Sequence, residues 1–194
     1  MNYSFFALIS RLKNITRWNL MRNTRTESVA EHSYVVSVIA HALALVSREI
    51  FNNSDINPER IATIALFHDA TEIFTGDMPT PVKYLNDDIK QIYSKIEQNA
   101  ADKLLVSLPD CLKDEYKFAL NSTENEYRFV KAADSLSALI KCLEEESCSN
   151  REFLVAKKQI LEKLEAMKMV EVDYFLENFI KSFELSLDEI DITI

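Results

Sequence analysis

A single glycine, Gly76, in 194 residues is the feature that most limits how this chain can fold. Tight hairpin turns draw on glycine for positive φ, so a sheet-rich fold of this length would need many of them. The four prolines add few further breaks. Long helices with few connections fit such a sequence, and the predicted fold is all-α, a helical bundle. A hydrophobic share of 47% is enough for a real core. No repeat, low-complexity tract or linker divides the chain, so residues 1–194 are expected to form one domain.

Helix signals place the elements. A first helix is expected over Tyr3–Lys13, followed by a polar stretch that carries Arg17, Trp18, Arg22 and Arg25. Ser28-Val-Ala-Glu31 reads as a capping box that opens a second helix reaching about Phe51. Asn57-Pro58 is an N-cap followed by a first-turn proline, opening a third helix that is expected to end near Phe74, before Gly76. Pro79 and Pro81 make Asp77–Pro81 a stiff, non-helical loop in this reading. Later helices are expected over Asp87–Leu108, Asp110–Leu120, Glu124–Ser147, Asn150–Met169 and Val172–Phe183.

The net charge of −9 leaves no broad basic face for a nucleic-acid duplex or an anionic membrane. A small phosphate compound stays open, because one local cation can reverse the field inside a pocket. Three cysteines, an odd number without C-x-x-C spacing, point to reduced thiols and a cytoplasmic location. No signal peptide is evident, and no stretch is expected to reach the ~18 apolar residues that cross a bilayer.

With three histidines, each can be weighed. His32 heads an apolar stripe of the second helix with Val35, Val36, Ile39, Leu43, Val46 and Ile50, so it faces the core. His41 falls half a turn away and cannot share a site with it. On the third helix Ile61, Ile64, Ala65, His68, Asp69 and Glu72 share a face, so three ionisable groups extend an apolar stripe. Asp134 sits among Val130, Ala133, Ser137 and Ile140, beside small Ala132 and Ala133. Any one of these has a plain alternative: a core histidine is commonly a hydrogen-bonded structural residue, and Asp134 has Lys131 nearby to pair with. Together they put imidazoles and carboxylates from three helices at core positions, where charge is costly unless something offsets it. Two imidazoles with two carboxylates suit a borderline divalent ion: Co²⁺, Mn²⁺, Fe²⁺, Ni²⁺ or Zn²⁺.

Ser28-Val-Ala-Glu-His-Ser33, Phe67-His-Asp-Ala-Thr-Glu72 and Lys131-Ala-Ala-Asp134 resemble the H…HD…D signature of the HD-domain superfamily. Arg17-Trp18, Arg22-Asn-Thr-Arg-Thr-Glu27 and Gly76-Asp-Met-Pro-Thr-Pro-Val-Lys83 narrow the resemblance to the bacterial 5′-deoxynucleotidases of the YfbR-like family. It spans nearly the whole chain, from Phe5-Phe6 to Leu185-Ser-Leu-Asp-Glu189. One departure is Asn19, where the family pattern has proline.

The resemblance implies an HD-domain helical bundle with His32, His68, Asp69 and Asp134 as ligands of one divalent metal, Co²⁺ before the others. It implies hydrolysis of deoxyribonucleoside 5′-monophosphates and a homodimer. Glu72 would orient the attacking water or shuttle a proton, and Arg17 would grip the phosphate with its planar fork. Trp18 would lie against the sugar and leave no room for a 2′-hydroxyl. Asp77, Met78, Pro79 and Thr80 would line the nucleotide, and His32, Asp69 and Asp134 would border substrate as well as metal. Outside the family match, Arg17 reads as a surface ion pair, Trp18 as a core anchor and the 77–80 segment as a helix terminator. The competing functions are another HD-type nucleotide phosphohydrolase and a non-catalytic nucleotide sensor.

Overall fold

The structure, a computed structural model, describes residues 2–83, 85–120 and 123–190, with the side chains of all but Thr80 and Pro81. Helix α1 (Phe5–Ile9) tightens into a 3₁₀ turn over Ser10–Asn14. Then come α2 (Val29–Leu45), α3 (Pro58–Phe67), α4 (Glu72–Thr75), α5 (Thr80–Lys83), α6 (Asp87–Val106), α7 (Asp110–Leu120) and α8 (Glu124–Ser147). Helices α9 (Leu154–Met167) and α10 (Val170–Asn178) close the described chain, with 3₁₀ turns at Arg151–Phe153 and Ile180–Glu184. Among the described residues the only β-type pairing is an isolated antiparallel bridge between Thr16 and Ser28.

Three starts follow from capping chemistry. Ser28 and Glu31 form the expected reciprocal box at α2, Thr123 and Glu126 form another at α8, and the Asn57 side chain accepts from the Arg60 amide at α3. Helix α2 is the central rod, packed against α3 and α8. Val36, Ile39, Ala40 and Leu43 of α2 meet Ile61, Ile64 and Ala65 of α3 and Phe129, Ala133, Leu136 and Ile140 of α8 in the main core. A smaller core of Phe5, Ala70, Leu104 and Leu108 ties α1 to α6 and to the turn after α3.

Four expectations need correction. The second helix does reach Ile50, but Val46–Ile50 is a π turn closed by Phe51 N–H to Val46 O at 3.2 Å. A π turn takes an extra residue, so Ile50 slips off the buried stripe and is 43% exposed. The third helix stops at Phe67 rather than running to Phe74. The stiff loop is shorter than expected: Thr80–Lys83 is helical, and Pro81 fits because the first turn of a helix needs no partner for its missing N–H. Finally, Val29–Ile50 is by length and mean hydropathy (1.5) apolar enough to cross a membrane, against expectation. Half of that stretch is buried inside the fold, where a central helix needs apolar residues on several sides.

Candidate metal centre

The site begins where α3 ends. From His68 to Phe74 the backbone bonds run to the third residue back: His68 to Ala65, Ala70 to Phe67, Glu72 to Asp69, Ile73 to Ala70 and Phe74 to Thr71. At this tighter pitch residues three apart eclipse, which sets Glu72 directly over Asp69. Ala70 meanwhile turns into the smaller core, where it is fully buried and pins the turn. The Ala65 carbonyl accepts from the His68 amide at 3.4 Å and lies 2.7 Å from His68 Nδ1. A carbonyl can only accept, so Nδ1 carries the hydrogen and Nε2 is the nitrogen that could ligate an ion.

His32 is prepared the same way. It is fully buried at the start of α2, with Nδ1 3.2 Å from the hydroxyl of Ser137 on α8. The two rings lie 5.4 Å apart, and neither Nε2 has a hydrogen-bond partner although both are buried. Each instead faces carboxylates. His32 Nε2 is 3.2 Å from Asp134 Oδ1 and 3.7 Å from Asp69 Oδ2, and His68 Nε2 is 3.1 Å from Asp69 Oδ2. Ligand atoms of His32, His68 and Asp134 all lie within 4.8 Å of one another. Two lone pairs that lack a proton donor, beside two acidic groups, fit a divalent cation of the N/O-ligated kind. Lys131, the alternative partner for Asp134, is exposed, and its ammonium lies 5.1 Å over the Tyr127 ring.

The field of the pocket favours positive charge. Burial alone would raise Asp134, but contact with His32 and the charges of Arg17 and His68 hold it well below the usual carboxylate range. Burial pulls His68 down, and Asp69 beside it more than reverses this. His32 is lowered, by burial first and Arg17 second, which favours its neutral form. Glu72 behaves oppositely: burial, then Asp69 and Asp77, push it up to about 9, and its buried Oε2 has no hydrogen-bond partner. An unfolded chain ionises this carboxyl near 4.5. Between those values the folded form keeps a proton that the unfolded form has released, so stability falls as pH rises through the window. In metal-free protein, Glu72→Gln is expected to lose less melting temperature than the wild type between about pH 6 and pH 9. Equal losses would show that Glu72 is ionised in the fold.

Arg17 and Trp18 reach the cluster from the loop between α1 and α2. Arg17 Nη1 is 3.6 Å from Asp69 and Nη2 is 4.0 Å from Asp134. Burial works against this charge, but Asp134, Asp69, Glu27 and Asp77 outweigh it and raise the pKa. Trp18 is half-buried with φ +57°, a conformation that costs a bulky residue about 1–3 kcal/mol. It is held from every side. Its carbonyl accepts from Met21 and Asn23, its ring lies 5.3 Å from that of Phe153, and its Nε1 donates to Glu27 at 3.1 Å. Asn19, at the second position of the turn from Trp18 to Met21, accepts from the Thr16 hydroxyl at 2.5 Å.

The far end of the loop is fastened to α8. Glu145 is fully buried and accepts from the Thr24 amide (2.9 Å) and hydroxyl (2.8 Å), from Asn150 (2.8 Å) and from Lys141 (2.5 Å). Lys141 also donates to the Arg25 carbonyl at 2.6 Å. Asp134, Ser137, Lys141 and Glu145 follow one another at helical spacing along a single face of α8. The same helix therefore supplies a carboxylate to the cluster, the hydroxyl that orients His32 and the anchor of the Arg17–Trp18 loop.

Sequence reasoning placed His32, His68, Asp69, Glu72 and Asp134 at core positions, and the structure brings them together with Arg17. His41, expected to face away, is half-buried and outside the cluster. Asp77 enters the electrostatic neighbourhood of Arg17, Asp69 and His32, and burial raises its pKa. Met78 and Pro79 are half-buried in the loop before α5, and the Thr80 side chain lies outside the described residues. Glu27, Ser137, Lys141 and Glu145 were missed as site-forming residues. The signal for the last three is their shared face with Asp134, and for Glu27 only its place at the end of the Arg22–Glu27 segment that carries the family resemblance.

Known proteins share this arrangement of sequence and fold. The family described as "5′-deoxynucleotidase YfbR-like" matches residues 4–183. A 5′-deoxynucleotidase of Enterobacter sp. (strain 638) is 50% identical over 96% of this chain and 94% of its own length. The 5′-deoxynucleotidase YfbR of Escherichia coli shows the same identity and coverage. Among solved structures, an HD-domain phosphohydrolase from Listeria innocua superposes with a TM-score of 0.79 at 26% identity, covering 93% of this chain and 88% of that one. The cyanophage S-2L HD phosphohydrolase DatZ, solved with dA and one catalytic Zn²⁺ ion, shares the fold at a TM-score of 0.67 and 16% identity, over 94% and 99% of the two chains.

Proposed function

The chain belongs to the YfbR-like 5′-deoxynucleotidase family, and on that premise we propose that His32, His68, Asp69 and Asp134 hold one divalent metal ion in an HD-domain active site. The enzyme removes the 5′-phosphate from deoxyribonucleoside 5′-monophosphates, giving deoxynucleoside and phosphate. The observation that carries the ligand assignment is the pair of buried Nε2 atoms, free of hydrogen-bond partners and facing two carboxylates. Co²⁺ is the ion the family resemblance favours, with Mn²⁺, Zn²⁺, Ni²⁺ and Fe²⁺ as alternatives that the same donor set accepts. When bound, such an ion supplies charge neutralisation for the phosphate and acidifies a water.

The protein's own groups divide the remaining work. The Arg17 fork faces the carboxylates rather than solvent, so it grips the phosphate group. Glu72, poised over Asp69 with a buried carboxyl, orients the attacking water and carries a proton. Trp18 stands against the sugar where a 2′-hydroxyl would need space. His32, Asp69 and Asp134 border the substrate, and Asp77, Met78, Pro79 and Thr80 line the nucleotide. Residues 1–194 act as a single HD domain in the cytoplasm. The working form is a homodimer, for which Phe179 and Phe183 offer exposed rings beyond the buried Val172 and Phe175.

The test is phosphate release from dAMP, AMP, dADP and dATP across Co²⁺, Mn²⁺, Zn²⁺, Ni²⁺ and Fe²⁺, with metal content measured in parallel. dAMP with Co²⁺ should be the best pair, and comparable release from dATP would favour another HD nucleotide phosphohydrolase. A pocket ordinarily rejects an added hydroxyl by only about a hundredfold, so the wall that excludes it matters. Trp18→Ala is expected to lower the dAMP:AMP ratio of kcat/KM by about tenfold or more while leaving metal content intact. An unchanged ratio would make Trp18 a packing residue.

A further inference from the structure

Glu27 accepts hydrogen bonds from both Arg17 and Trp18 on one carboxylate oxygen. Its Oε2 accepts from Arg17 Nε at 3.2 Å and from Trp18 Nε1 at 3.1 Å, and its carbonyl accepts from the Arg17 amide at 2.9 Å. The side chain is 16% exposed, sheltered enough for both bonds to hold against water. The Thr16–Ser28 bridge next to it closes the loop, so residue 27 faces residue 17 in a fixed register.

Three consequences follow from this sharing. Using Nε for Glu27 leaves both terminal nitrogens of Arg17 directed at Asp69 and Asp134. The indole, anchored at its N–H end, cannot rotate about its side-chain torsions without giving up that bond. The strained backbone at Trp18 is over-determined partly through the same carboxylate, the condition under which such strain persists at a functional site. A single anion therefore fixes, relative to each other, the group that meets the phosphate and the ring that meets the sugar.

We propose that Glu27 is a specificity-determining positioning residue that locks Arg17 and Trp18 into one recognition unit, so that phosphate grip and exclusion of the 2′-hydroxyl are set together. The proposal rests on the reading of Arg17 and Trp18 given above. It assigns Glu27 no contact with substrate.

Trp18 is the chain's only tryptophan, so its fluorescence reports this anchor alone. The experiment compares Glu27→Gln, Glu27→Asp, Trp18→Ala and wild-type holoenzyme by acrylamide quenching, metal content and kcat/KM on dAMP and AMP. Gln weakens the anchor by removing its charge; Asp keeps the charge but withdraws it by one methylene, which protects the test if the first variant folds poorly. Both are expected to make Trp18 more accessible to quencher and to lower kcat/KM on dAMP about tenfold to a hundredfold, as for loss of a charge-assisted hydrogen bond. The dAMP:AMP ratio should fall with it, at unchanged metal content, which a purely structural role would not produce. If Trp18→Ala changes the ratio but neither Glu27 variant does, the role of Glu27 is overturned and the reading of Trp18 stands. If Trp18→Ala also leaves the ratio unchanged, the sugar-wall reading falls and takes the proposal with it.

Discussion

Asp134→Ala is expected to empty the protein of bound divalent metal and to lower kcat/KM on dAMP by about a thousandfold or more. The figure follows from the several kcal/mol that a divalent ion supplies to a phosphoryl-transfer transition state, at 1.36 kcal/mol for each factor of ten. Asp134 is the residue to change because it faces both His32 and Arg17, so its loss would remove a proposed ligand and leave both partners without their carboxylate. His68→Ala and Asp69→Ala should act in the same direction. His41→Ala is the matched control: it lies on the far side of α2 and should alter neither metal content nor rate. Metal analysis beside steady-state kinetics decides the matter, and an active Asp134→Ala protein without metal would end the metalloenzyme reading.

The second large effect is at Arg17. Arg17→Ala should lower kcat/KM about a hundredfold to a thousandfold, the usual loss on removing a preorganised donor from developing negative charge. It should do so equally for dAMP and AMP, since both present the same phosphate, and metal should stay bound. Arg17→Lys should recover less than about tenfold of the loss. The reason is geometric: Arg17 bonds Glu27 with Nε while its two terminal nitrogens face the cluster, and one ammonium cannot stand in both places. A lysine variant with near wild-type activity would mean that Arg17 contributes only charge. Read together with Trp18→Ala, the two changes separate phosphate recognition from sugar recognition.

Much of the scaffold was legible in the sequence because the signals are local. Ser28 with Glu31, and Asn57 with Pro58, announce helix starts within four residues, and the structure has α2 and α3 beginning there. The apolar period placed His32 and Asp134 inward for the same reason. What period could not show is a change of pitch. The i→i−3 bonding from His68 to Phe74 and the π turn at Val46–Ile50 are set by packing, through Ala70 in the smaller core and by the contact of Ser47 with buried Glu171. The loop from Arg17 to Glu27 is opaque to period altogether. Its geometry comes from side-chain bonds to partners far along the chain, Thr24 to Glu145 above all, and such pairs leave no local trace.

The polar face of α8 acts as a measuring rod. Asp134 at one end belongs to the cluster, and Glu145 about three turns on holds the loop that carries Arg17 and Trp18. Point substitutions along that stretch alter packing but keep the two ends in phase. An added or deleted residue does something different: it swings one end by about 100° and shifts it about 1.5 Å, which would turn the Glu145 carboxylate away from Thr24 while the cluster stayed put. The interval between Asp134 and Glu145 therefore sets a length: a one-residue insertion there is expected to part the Arg17–Trp18 loop from the carboxylate–imidazole cluster, where a point substitution would not.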